Sequence, residues 1–144
     1  MRSFVLILLL AGCGLRAPDY VSAAGVEYRF EGRAWDSAQI EAQEQGFLRA
    51  LPPGYERAQD AMREVRVFVY PDKFHCVSSP TGWCNGVQDY QDLSLRALDC
   101  PGKSALTHEI AHFLEQYVKG ITDYDHVVEP ELWKAADVLY PGGC

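Results

Sequence analysis

Apolar and polar residues alternate strictly in two stretches of the chain. In "VEYRFEG" (residues 26–32), Val26, Tyr28 and Phe30 interleave with Glu27, Arg29 and Glu31. In "EVRVFVYPD" (residues 64–72), Val65, Val67 and Val69 share one side and Phe68 and Tyr70 the other. A period of two predicts strands. The first is half-buried, and the second, β-branched and aromatic on both sides, is a central strand. Between them Ile40, Phe47, Leu48 and Leu51 fall roughly at helical spacing. Asp36 or Ser37 supplies the cap of that helix, and Pro52, Pro53 and Gly54 stop it. Turn-forming residues at 78–82, Asn85-Gly86 and 88–92 divide the following segment into short strands near 74–77, 83–88 and 93–98. Leu106, Ile110, Phe113, Leu114, Tyr117 and Val118 then form a broad apolar stripe on a helix over 103–120. Gly120 stands at its C-cap, with Lys119 before it. After an acidic loop, Pro130 suits the first turn of a short last helix. The order strand, helix, strands, helix, loop, helix predicts an α+β domain with a small mixed sheet.

The first residues, "MRSFVLILLLAGC", have a different character. One cation, Arg2, precedes an apolar run that is too short to span a bilayer, which takes ~20 residues. Small residues and Cys13 follow. This is the layout of a secretory signal over residues 1–12. "LAGC" also resembles the bacterial lipobox, which implies cleavage before Cys13, lipidation of that cysteine and attachment to the cell-envelope membrane through acyl chains. A plain secretory signal is the alternative. Residues 13–25, small and polar, read as a tether, and 26–144 as one domain. The net charge of −7 becomes one unit more negative without Arg2, a balance that disfavours nucleic acid as a partner.

Besides Cys13 there are four cysteines, Cys76, Cys84, Cys100 and Cys144. An even number in an exported chain predicts two disulfides. Of three pairings, Cys76–Cys84 closes a short loop, which leaves Cys100–Cys144 to enclose the region with most of the histidines. No C-x-x-C pair suggests a cysteine metal site.

The chemistry concentrates in "LTHEIAHFLEQ" (residues 106–116). His108 and His112, four apart, share one face of a helix one turn apart, so both imidazoles can reach one metal ion. Glu109 is rotated by about 100° from His108. It is placed to reach a water at the ion rather than the ion itself, the arrangement of a general base. Three of the four histidines, His108, His112 and His126, fall in this region, while His75 stands apart. An ordinary solvated helix would use these residues for nothing. Tyr117 and Tyr124 carry phenolic donors that could meet an oxyanion, although packing is the commoner use of such rings. Trp35, Trp83 and Trp133 are core candidates.

A helix with "HEIAH", then glycine, an acidic loop with a histidine, and a short closing helix resembles the zincin metallopeptidases. The compact layout is similar to minimal members such as the SprT-like group and related bacterial lipoproteins. The resemblance covers residues 93–139. It implies Zn²⁺ as cofactor, Glu109 as catalytic base, a peptide or protein substrate, and a strand edge before the motif helix that pairs with extended substrate. It also implies a third protein ligand. The metzincin spacing fails, because Glu115 and Val118 occupy its positions. His126, in "TDYDH", and Glu131, separated from His112 by eighteen residues as in one gluzincin group, are the alternatives, with Glu129, Asp123 and Asp125 behind them. Asp123 and Asp125 could instead orient a ligand imidazole, and Glu115 is read as solvated or as supporting a ligand from behind. Two functions stay open: a membrane-anchored zinc metallopeptidase acting outside the cytoplasm, or a cell-envelope binding lipoprotein that keeps the fold without turnover.

Overall fold

A computed structural model describes residues 16–32, 34–77, 80–96 and 104–137. The described residues form an α+β domain. In chain order the elements are β1 (Tyr20–Val21), β2 (Glu27–Phe30), α1 (Ser37–Ala50), α2 (Ala58–Ala61) with a 3₁₀ turn (Met62–Glu64), and β3 (Arg66–Tyr70). β4 (Phe74–His75), β5 (Trp83–Cys84), β6 (Gly86–Asp89), β7 (Asp92–Arg96), α3 (Ala105–Leu114) with a π-helical turn (Glu115–Lys119), and α4 (Pro130–Ala136) complete it. The main sheet has the order β1-β2-β3-β7-β6, and β4 pairs with β5 in a small hairpin. β2, β3 and β7 are parallel, whereas the two edge strands, β1 and β6, run antiparallel to their neighbours.

Register explains where the core lies. Tyr28, Val67, Leu93 and Gln88 stand in one row across the sheet, and Phe30, Val69, Leu95 and Gly86 in another. Both rows face the helices. Their inner members are fully buried, and Leu106, Ile110 and Leu114 of α3 pack into the same core. α3 lies against β6 and β7, with α1 and α4 on its other flank. The rows end at the β6 edge on a glycine and a glutamine, so the apolar core stops where the candidate chemistry begins.

The helix termini follow sequence chemistry. Asp36 caps α1 by accepting from the Ala38 N–H. Ser104 caps α3 by accepting from the Thr107 N–H. Gly120 closes the π-helical turn in the left-handed region, at φ 69°. The central place of β3 agrees with its alternation. Three features depart from the sequence reading, the first being Trp83, a core candidate that is 56 % exposed. Tyr20–Val21 in the expected tether forms the edge strand β1, because Tyr20 bonds Glu41 and Ala24 is buried beside it. Asn85-Gly86, expected as a turn, is a bend leading straight into β6.

A disulfide joins Cys76 to Cys84, with Cα atoms 6.0 Å apart, across the β4–β5 hairpin that feeds β6. Cys100 and Cys144, and with them the second expected bridge, lie outside the described residues, as do Cys13 and the signal segment. Among the described residues no helix is long and apolar enough to cross a membrane.

One core group titrates against the fold. Glu44 of α1 is fully buried and accepts from the Tyr28 hydroxyl. Burial pushes its carboxyl up to about 7, against the lowering effect of hydrogen bonds from Tyr28 and Ser22. A carboxyl whose folded pKa lies above its unfolded value contributes stability at low pH, and that contribution is lost as pH rises through about 7. Glu44→Gln removes this titration and keeps an acceptor for Tyr28. The variant is therefore expected to gain stability over wild type as pH rises from 5 to 8, by an amount on the order of 3 kcal/mol at most. Urea unfolding of both proteins at the two pH values checks it; a constant difference would contradict it.

Candidate metal centre

The one-turn spacing in α3 brings the His108 and His112 rings to 5.0 Å between centroids. The loop after Gly120 returns His126 to the same place, 4.9 Å from His108 and 5.0 Å from His112. One nitrogen from each imidazole lies within 4.8 Å of the others, close enough for all three to hold a metal ion. His112 Nε2 and His126 Nε2 are 3.3 Å apart. Two nitrogens each ~2.0–2.1 Å from a tetrahedral ion stand about 3.3–3.4 Å apart, so that pair fits the geometry of shared ligands. The same separation also suits an N–H···N contact between the two rings. The third imidazole within the same small circle is what makes the group a ligand set.

His126 gets there through the chemistry of its loop. Its backbone adopts φ 59°, a region a non-glycine residue enters at some cost. Asp123 holds that conformation. Its buried carboxylate accepts from the Asp125 N–H at 3.2 Å and the Val128 N–H at 2.6 Å. Burial pushes the Asp123 carboxyl up, but backbone N–H groups of Val128, Val127, Asp125 and His126 together outweigh it and leave the group below its ordinary value. Asp123 is thus a clamp on the loop backbone and is not among the grouped ligands.

Trp133 of α4 forms the common base of the three rings. Its centroid is 4.0 Å from His126, 4.7 Å from His112 and 5.4 Å from His108. Pro130 starts α4, and its position brings the indole under the imidazoles. Glu131, one of the two expected third ligands, is exposed on the outer side of α4 and pairs with Lys134. It does not join the histidines, and neither do Glu129 and Asp125.

Glu109, the next residue along α3 from His108, lies against the sheet. It is only 7 % exposed and lies beneath Gly86 at the β6 edge, where an added Cβ would come within 2.5 Å of Glu109 Oε1. Gly86 is therefore a close-approach glycine, and its dihedral angles would suit any residue. Burial pushes the Glu109 carboxyl up to about 7, close to the range of a useful base near neutral pH. His112 shifts in the opposite sense. Burial, followed by the His108 and His126 charges, pushes it down to about 4 against the pull of Asp123. Its ring is neutral near pH 7, the state a metal ligand requires.

Glu115 is not solvated. It is fully buried in the π-helical turn, and burial, followed by the Asp123 charge, pushes it up to about 7 against the lowering effect of the Asp123 backbone N–H. Tyr124 is 81 % exposed, with its ring 6.5 Å from that of His112. Tyr117 stacks on Phe113. His75 packs edge-on against Trp83 in the β4–β5 hairpin, away from the other three histidines. The sequence reading missed Gly86, Trp133 as the base of the ligand rings, and the Asp123 clamp. Only the Asp-x-Asp-His run hinted at the last.

No protein-family model, curated protein or solved structure matches the chain.

Proposed function

We propose that the protein is a zinc-dependent metallopeptidase, with zinc held by His108, His112 and His126 and with Glu109 as catalytic base. The observation that carries this reading is the juxtaposition of a three-histidine ligand set with a buried carboxylate one residue along the same helix. Three neutral imidazoles suit zinc, copper or nickel. Zinc is chosen because ligands four apart with a carboxylate between them form the zinc-hydrolase pattern. The zincin resemblance points the same way, and the antiparallel edge strand β6 above Glu109 supplies the free edge that such a substrate would use.

Zinc, when bound there, supplies Lewis acidity toward the peptide carbonyl and toward water. The chain's own residues do the rest. Glu109 Oε1 takes a proton from the attacking water and passes it to the departing amine. Gly86 leaves the room in which that carboxylate sits, while Trp133 and the Asp123 clamp keep the three imidazoles converged. Extended substrate adds to β6 through backbone hydrogen bonds, and its carbonyl is thereby presented over α3.

Metal content of the purified protein, together with metal-dependent cleavage of a mixed peptide library, tests the proposal. Near one zinc per chain and chelator-sensitive cleavage are expected. Bound metal with no cleavage in a broad library would transfer the reading to a binding lipoprotein. Gly86→Ala probes the site from the sheet side. Its Cβ forces the Glu109 carboxylate aside, and a misplacement of about 1 Å can cost ~10²-fold in rate. Hydrolysis is expected to fall by tenfold or more with zinc content and unfolding temperature close to wild type. An unchanged rate would remove Gly86 from the site. Attachment to the membrane through Cys13 belongs to the same proposal, on the evidence of the lipobox-like "LAGC". Cys13→Ser is expected to release the protein from membrane fractions, and a variant with a cleaved signal that still sediments with membranes would refute the anchor.

A further inference from the structure

A cavity opens beside the β6–β7 turn. Its volume is about 320 Å³, and Tyr90, Phe113, Tyr117 and Gln116 line most of it. Tyr90 sits at the β6–β7 turn, at φ 52° and 67 % exposed. Tyr117 is 49 % exposed, and its ring is 5.2 Å from that of the buried Phe113. Gln88 holds the two walls together, since its side-chain amide donates to the Tyr90 carbonyl at 2.7 Å and to Gln116 Oε1 at 3.1 Å. The cavity is therefore built into the junction between turn and helix.

Two independent rulers place it relative to Glu109. Along β6, Tyr90 is four residues beyond Gly86, or about 13 Å at strand rise. Along the helix, Phe113 and Tyr117 are four and eight residues beyond Glu109, or about 6 and 12 Å. Each ruler runs from a wall of the cavity back to Gly86 or Glu109, which do not themselves line it. A peptide lying extended along β6 has the same rise per residue. Its residue opposite the cavity is about four positions from the one opposite Gly86, and an even separation turns both side chains to the same face.

We propose that this cavity is a specificity pocket for an aromatic or large aliphatic side chain of an extended peptide substrate, about four residues from the scissile bond on the side of the β6–β7 turn. The inference rests on the metallopeptidase reading and adds a substrate class to it. Size fits, because an apolar cavity of roughly 150 Å³ is enough to take up benzene. Chemistry favours an uncharged occupant. The one carboxylate in the lining, Glu64, also borders the neighbouring groove, where Arg63 lies and where Arg29 and Arg66 pair with Glu27 and Asp92. The rings of Tyr90, Phe113 and Tyr117 line the wall, so a phenyl ring meets three aromatic surfaces.

Fluorescein-labelled decapeptides of alanine and serine are the probes, carrying one Phe, one Arg or neither. Binding is measured by anisotropy to full-length zinc-loaded Glu109→Gln protein, which holds the peptide without turnover. The Phe peptide is expected to bind at least ~10-fold more tightly than the other two, in line with burial of one aromatic side chain. That ratio is expected to fall toward one in the added presence of Tyr90→Asn, a residue that accepts positive φ, and separately of Tyr117→Asn. Wild type is then expected to cut the Phe peptide about four residues from the Phe. Equal binding of Phe and Ala peptides, tighter binding of the Arg peptide, or a Phe advantage that survives both substitutions overturns the pocket. A Phe advantage without any cleavage by wild type leaves the pocket standing and removes the peptidase reading. Cleavage indifferent to the Phe does the reverse.

Discussion

Glu109→Gln is expected to leave zinc near one per chain and to lower peptide hydrolysis by ~10²-fold or more, the usual scale for losing a positioned base. The expectation follows from where the side chain points. Glu109 lies under Gly86, on the sheet side of α3, and is not one of the three residues grouped as metal ligands. Glutamine has nearly the same shape, so it fits the same space beneath the glycine, but it cannot accept the proton. Burial of the acid adds to the effect, since an enclosed site gives no ready route for a solvent base to substitute. Inductively coupled plasma measurement of zinc beside a peptide-cleavage rate separates the two quantities. An unchanged rate in the variant would rule out the mechanism proposed above. A variant that also loses its zinc would mean that Glu109 ligates the ion, which contradicts its placement as base.

The helix histidine pair and the carboxylate beside it are legible in the sequence because helical spacing is a local property. His108 and His112 share a face by arithmetic alone, and Glu109 leaves it by the same arithmetic. The third ligand is not local. Eighteen residues separate Glu131 from His112 and thirteen separate His126 from it, and either reach is open to a flexible chain. What decides between them is the Asp123 carboxylate gathering backbone N–H groups so that His126 turns back at positive φ, while Glu131 faces outward beside Lys134. Gly86 was misread for a related reason. Asn-Gly is a turn signal, and nothing in a single strand announces that a helix carboxylate will press against its edge.

The fold divides the same way. β3 and the apolar stripe of α3 are long and periodic, so they could be read directly. α2 and the following 3₁₀ turn are four and three residues long, too short for a period to register, and no side chain caps either. β1 has only two residues and depends on Tyr20 meeting Glu41 of α1. The parallel pairing of β2, β3 and β7 is a matter of topology. Alternation gives each strand its buried face but is silent on its neighbour, so the row ending at Gly86 could not be assembled before the register was known.

The largest effect on the metal itself is expected from the three histidines. His108→Ala or His112→Ala leaves two nitrogens, and catalytic zinc sites use three protein ligands. Either substitution is expected to remove zinc from the purified protein and to abolish metal-dependent cleavage. His126→Gly makes the sharper comparison. Glycine accepts the positive φ at this position without cost, so the loop clamped by Asp123 keeps its path while the imidazole is lost. It is expected to behave like the two helix variants in zinc content while unfolding, in chelator, within a few degrees of wild type, because relief of the positive φ offsets part of the lost packing on Trp133. Glu131→Ala breaks only an exposed pair with Lys134, worth ~0–1 kcal/mol, and zinc content and rate are expected to stay near wild type. Opposite behaviour, with His126→Gly retaining zinc and Glu131→Ala losing it, would assign the third ligand to α4. It would also require the helix to turn Glu131 inward from the side where Lys134 now holds it. Retention of zinc by both variants would mean that two histidines and solvent hold the ion, and the three-imidazole site proposed above would be wrong.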